Sequence, residues 1–261
     1  MFKLGDVIID RLQFGYGAKK NGTPLYALSQ LNSANINITS NSTDITDKDG
    51  NLVYRKFTGK TGEVTCTNAF MNLAVIEAIS ATDADIATDA NSIVMPMIQT
   101  VAAGSTLDIT GFVTGSVVVS AIYNGAIDSR TQYTLGTTAS ATEFAIDSNT
   151  LTPPTATGEV EYLVKYNKTV TSGAKITITA DKNPKAHELF FKALAVDPCD
   201  KENYKPLIIH IPEFIPSPEL SLAIQGGDSQ TLDYNGAILA DICSTAKTLV
   251  EIYFIDEAET V

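Results

Sequence analysis

Residues 47–80 read DKDGNLVYRKFTGKTGEVTCTNAFMNLAVIEAIS, and the way this stretch is divided decides the fold. Asp49-Gly50 supplies the positive φ that a tight hairpin turn needs, so a strand is expected to follow from Leu52 to Phe57. Gly59 to Gly62 reads as a second turn and Glu63 to Thr67 as a second strand. A helix comes next, with Thr67 or Asn68 placed to accept from the free N–H groups of its first turn. From Ala69 to Ile79 only Asn72 and Glu77 are polar. A helix so apolar all round is either sandwiched inside a small domain or covered in part by another subunit. Upstream, Ile36 and Ile38 alternate with Asn35, Asn37 and Thr39, the period of a half-buried strand.

The composition suits a β-rich protein whose surfaces meet other protein. The 261 residues are 44% hydrophobic and only 18% charged, with a net charge of −12. Such a balance argues against a phosphate-binding patch, which requires clustered Lys and Arg. It is compatible with a channel wall along which DNA slides without sticking. Cys66, Cys199 and Cys243 are odd in number and far apart, so they read as reduced thiols and not as a disulfide framework or zinc site. The opening MFKLGDVIIDRL has no apolar run suited to a signal peptide or a spanning helix. The four Asn-x-Ser/Thr matches at Asn21, Asn37, Asn41 and Asn167 therefore carry little meaning, and a cytoplasmic site of synthesis without a membrane is expected.

Taken in order, residues 1–27 form a strand-prone arm that either pairs in its own sheet or adds a strand to a neighbour. Residues 28–101 and 181–261 read as the β core, and residues 102–180 as an inserted β-rich region whose short strands and close turns suit either a small, immunoglobulin-like sandwich or an elaborated sheet layer. Within the insert the candidate strands are 106–112, 117–123, 132–135, 143–146, 159–166 and 175–179. Thr82 to Asn91 reads as an unpacked loop, and Pro96 marks its strand as an edge or bulge. Downstream of the insert come an amphipathic stretch at Glu188–Val196 and an alternating strand through Leu207, Ile209 and Ile211. A proline break at Pro212, Pro216 and Pro218 follows, then alternation at Leu220, Leu222 and Ile224, a turn at Gly226-Gly227, and a last strand through Val250, Ile252 and Phe254. The fold class is mainly β: a β-sandwich or barrel core with one short flanking α-helix, plus the inserted region.

No residue constellation points to catalysis, a cofactor or a metal. His187 and His210 sit at no metal-ligand spacing from each other or from a cysteine. Gly59-Lys60-Thr61 lacks the glycine five residues upstream that a phosphate-binding loop needs, since Tyr54 stands there. Asp47 to Asn51 looks like the head of a calcium loop, but its glycine comes early and Thr58 occupies the place of the bidentate glutamate. The pairs Glu159/Glu161 and Asp256/Glu257 read as solvated carboxylates, because there is no tryptophan to make a sugar platform beside them.

Two segments carry a resemblance. SANINITSNSTDITDKDGNLVYRKFTGKTGEVTCTNAFMNLAVI and PEFIPSPELSLAIQGGDSQTLDYNGAILADICSTAKTLVEIYFID resemble, in their order of strands, turns and helix, the bacteriophage tail tube (major tail) proteins. The resemblance spans roughly residues 28–100 and 182–256. It implies a structural virion protein and not an enzyme. Six subunits would close into a ring, the rings would stack into a hollow tube, and DNA would pass through without specific binding. It also implies no cofactor, contacts with other phage tail proteins, and a place in the virion tail after assembly in the host bacterial cytoplasm. The subunit contacts it suggests are the acidic turn (Asp47, Asp49, Gly50, Asn51) and the apolar helix (Phe70, Leu73, Ile76). The alternative is a capsid decoration or head-surface protein displaying an immunoglobulin-like domain. A glycan-binding module would need clustered loop aromatics, and Tyr123, Tyr133, Tyr162 and Tyr166 are scattered along the sequence.

Overall fold

The computed structural model describes residues 6–123, 125–128, 131–156, 160–221, 231–242 and 245–255. The protein is mainly β with a single short helix among the described residues. The chain divides into two compact units, Met1–Asp83 with Ile176–Val261, and Ala84–Lys175.

The first unit is built on one sheet. Its strands are β1 (Ile8–Ala18), β2 (Pro24–Leu28), β3 (Leu31–Thr46), β4 (Leu52–Asn68), β15 (His187–Asp197), β16 (Asp200–Pro216), β17 (Leu232–Ile238) and β18 (Glu251–Phe254). They lie in the order β2-β1-β15-β16-β17-β4-β3, with β18 paired to β16. The N-terminal segment therefore pairs within its own sheet, β1 lying antiparallel to both β15 and β2. One face of the sheet buries Leu28, Val64, Leu189, Phe191, Ile211, Phe214, Leu232 and Tyr234 in a continuous core. On β17 the inward positions alternate as Leu232, Tyr234, Gly236 and Ile238. Glycine is required at 236, where a Cβ would lie 2.5 Å from the Phe214 ring.

The helix α1 (Leu73–Ser80) plugs this core with Val75 and Ile79, and also buries Ile76. It starts later than the sequence suggests. Thr67 and Asn68 remain in the β-ladder, opposite Asp233 and Leu232, and Asn72 caps instead. The Asn72 Oδ1 accepts from the N–H groups of Ala74 (3.0 Å) and Val75 (3.4 Å), while its amide donates to the Ala27 carbonyl.

The second turn expected at Gly59–Gly62 does not form. β4 runs unbroken through it, paired along its length with β3. The glycines serve the strand: the register slips once, between Ser40↔Lys60 and Ser42↔Phe57, so that Thr58 and Gly59 together face Asn41 in a β-bulge. Pro212 likewise fails to break β16. The register with β15 slips between Leu189↔Ile211 and His187↔Phe214, which places the proline at a bulge where no ladder donor is needed. The amphipathic stretch at 188–196 is strand β15, and the alternation at Leu222 and Ile224 with the turn at Gly226-Gly227 lies outside the described residues.

The second unit holds two four-stranded sheets and a short pair. β6 (Ile93–Ala102), β13 (Glu161–Val170), β8 (Val118–Tyr123) and β9 (Ala126–Ile127) form one sheet in that order. The other is β10 (Thr134–Gly136), β11 (Glu143–Asp147), β12 (Thr150–Thr152) and β7 (Leu107–Asp108). Its own core contains Ile109, Val119, Ala121, Phe144, Leu151, Tyr162, Val164 and Tyr166. Pro96 sits on the edge strand β6, as its missing donor requires. The segment read as an unpacked loop contributes β5 (Asp85–Ala87), which pairs with β14 (Gly173–Lys175) and buries Ala87. The strand expected at 175–179 is limited to Lys175, and that at 106–112 to Leu107 and Asp108.

Candidate assembly surface: the projecting ribbon

The root of the β3–β4 hairpin belongs to the sheet, because Gly62 to Asn68 pair with β17 on one side and with β3 on the other. Beyond the root, β17 has ended and residues 39–60 continue as a two-stranded ribbon with every position exposed. Ladder bonds still join its strands, but neither face is covered by the chain. Exposed apolar side chains nonetheless lie along it: Ile45 (53%), Val53, Tyr54 (59%) and Phe57 (67%). Two-stranded hairpins standing alone are marginal in water, and a long edge strand offers unpaired donors and acceptors. The ribbon thus leaves a run of apolar side chains and free strand edges at the surface.

Polar contacts along the ribbon set its shape. Arg55 grips Asp44 across the strands with two charge-assisted hydrogen bonds of 2.6 and 2.8 Å, which hold the Asp44 carboxyl below its usual range. At the tip the Asp47 Oδ1 accepts from the N–H groups of Asp49 (2.9 Å) and Asn51 (2.8 Å). The Asn51 side chain donates to the other Asp47 oxygen at 3.0 Å, and these bonds lower the pKa of Asp47, the Asn51 side chain being the largest cause. Gly50 adopts a φ of 85°, so the turn is as the Asp-Gly pair suggested. Asp49, Gly50 and Asn51 are exposed around it.

The other suggested contacts lie elsewhere. Phe70 (63% exposed) and Leu73 (53%) form, with Met71, an apolar step at the start of α1. Ile76 is only 5% exposed within the single chain, so its burial needs no second subunit. The 17 residues of β4 separate the tip from the helix, about 55 Å of extended strand, and the two groups do not meet within one chain.

The structure also assembles a buried polar cluster that sequence spacing did not suggest. The His187 Nδ1–H donates to the Lys185 carbonyl (3.2 Å), so Nε2 accepts from the Tyr26 hydroxyl (2.7 Å), which in turn accepts from Tyr234 (2.6 Å). Burial lowers the histidine pKa and raises those of both tyrosines, keeping all three neutral. Cys66, beside this core, is pushed up to about 12 by burial and is inert as a nucleophile. The cluster pins β2, β15 and β17 together without opening a reactive group to solvent. His210 is bound differently, its Nδ1 hydrogen-bonded to Glu251 (2.9 Å) and its ring stacked on Phe190.

A mainly β body carrying a ribbon whose apolar residues face water fits a phage tube-like structural protein. The model of the YomU/Tube protein family matches residues 6–252, and the chain belongs to that family. No curated protein matches the chain. Among the described residues no helix is long and apolar enough to cross a membrane.

Proposed function

We propose that this protein forms six-membered rings that stack into the hollow tube of a phage tail, through which DNA passes. The observation that carries the reading is the ribbon of residues 39–60, exposed on both faces and apolar at Ile45, Val53, Tyr54 and Phe57. Laid against a neighbouring subunit, it removes its free edge and its apolar side chains from water in one step. Its tip, with Asp47, Asp49, Gly50 and Asn51, and the step of Phe70 and Leu73 are the contacts proposed between subunits, with buried Ile76 on the same helix as Leu73. A stable joint needs about 1,000 Å² or more of buried surface, and a ribbon of this length can supply it. The net charge of −12 suits a lumen that conducts DNA without retaining it.

Assembly would take place in the host cytoplasm, and other tail proteins would begin and end the tube. Negative-stain electron microscopy over a protein concentration series, with mass measurement in solution, tests this. Six-fold rings or hollow tubes are expected at high concentration. Monomers or trimers persisting throughout would overturn the reading in favour of a head-surface role.

A further inference from the structure

A groove of about 690 Å³ opens on the first unit beside the root of the ribbon. Among the described residues lining it, only Glu63 and Glu219 are charged, both negative and both exposed. Ile215, Pro216, Pro218 and Ala237 give it an apolar floor and wall. The groove thus fits a partner that presents a cation beside apolar groups.

The ribbon presents such a face. Ile45 and Tyr54 are direct cross-strand neighbours, as are Thr43 and Lys56. Side chains two apart on one strand share a face, so Ile45, Tyr54 and Lys56 lie together on one side of the ribbon. Residues 40–60 carry Lys48, Arg55, Lys56 and Lys60 against Asp44, Asp47 and Asp49, a net +1 in a chain of net −12. Arg55 is engaged by Asp44 and Lys48 by Asp49, whereas Lys56, Glu63 and Glu219 have no ion-pair partner among the described residues. A chain cannot satisfy its own groove: Lys56 stands seven residues beyond Glu63 on the same unbroken strand, about 23 Å away.

We infer that this groove receives the Ile45–Tyr54–Lys56 face of a second copy's ribbon, Lys56 pairing with Glu63 and Glu219. The inference rests on the ribbon being a joint between subunits and adds the surface it docks on. Because donor and acceptor surfaces differ, each copy offers one of each, and the contact propagates from copy to copy.

Charge reversal on the full-length protein tests it, with assembly followed by sedimentation and electron microscopy and folding checked by circular dichroism. Glu63→Lys with Glu219→Lys, and separately Lys56→Glu, should each raise the concentration needed for assembly by about tenfold or more while leaving the melting temperature unchanged. Mixing the two variants should restore assembly, because each then finds a complementary partner. A ribbon shortened by deletion of residues 42–57 separates the two readings. If the shortened protein fails to assemble but groove reversal has no effect, the groove is not the receptor and the ribbon remains a joint. If the shortened protein assembles normally, both readings fall. Groove reversal that blocks assembly without rescue on mixing also overturns the pairing of Lys56 with these glutamates.

Discussion

The two halves of the β3–β4 hairpin are one pair of strands in two environments. At the root, Ala34, Ile36, Val64 and Cys66 face inward against β17, α1 and the rest of the core. In the outer half, side chains just as β-prone, Tyr54 and Phe57 among them, stand in water. The β3–β4 ladder runs through both, but at the root β4 is also paired with β17 and one face is covered, whereas the outer half has neither. Hydrogen-bonded ladders therefore specify that a strand exists, and burial specifies what the strand is for.

Substitutions sharpen this contrast. Val64→Asp, at a fully buried root position, should destabilise the protein by roughly 4 kcal/mol or more, because the carboxylate finds no partner there. Chemical denaturation would measure it, and a loss under about 1 kcal/mol would mean the root is no better packed than the ribbon. Next in size, Asn72→Ala removes the cap of the helix that covers the root, at a cost of about 1 kcal/mol. Melting of the variant against wild type reads this directly.

A smaller effect concerns pH within the same core, where Tyr234 of the His187 cluster pairs across the strands with Cys66 of the root. The His187 pKa is lowered by burial, so the folded state binds its proton less readily than the unfolded chain. This contribution is fully present above the unfolded value of about 6.5 and is lost as pH falls through and below it. Stability should decline in wild type as pH falls below about 6.5, and His187→Phe should flatten that slope; an unchanged slope would remove His187 from the account. Least of all, Phe57→Ser in the outer half should change stability by less than about 0.5 kcal/mol yet reduce assembly. A variant destabilised as strongly as Val64→Asp would erase the distinction between the halves.

Much of the fold was legible where one face of an element is buried and a local rule sets its end. Ala34 and Ile36 alternate inward because one side of β3 meets the core there, although Ile38, next in the series, is already exposed, and the Asp49-Gly50 turn follows from the φ it needs. Tyr162, Val164 and Tyr166 lie inward on β13 for the same reason. The continuation of β4 past Gly59 was not legible, since glycine marks both turns and bulges, and here strand β3 decides between them. Nor was the helix start, because Thr67, Asn68 and Asn72 can all cap; pairing with Leu232 and Asp233, over 160 residues away, keeps the first two in the strand. Of the suggested contacts, those at the turn and at Phe70 and Leu73 lie exposed, while Ile76 is internal, a distinction that apolar character alone does not carry. The His187 cluster draws on residues 161 and 47 positions away, beyond the reach of any local motif.

The unbroken run of β4 from tip to core also has a mechanical meaning. β4 passes from the outer half into the root as one strand, through the bulge at Thr58 and Gly59, so a pull on the tip along the ribbon travels as tension through two covalent backbones into the sheet. There it meets the ladder between Gly62–Asn68 and Leu232–Ile238, whose hydrogen bonds lie across the direction of the load. They are stressed in shear and must yield together, whereas a peeling force would open them one at a time. A joint gripped at the ribbon would thus resist axial stretching far better than sideways bending, the behaviour of a rope splice and not of a glued face.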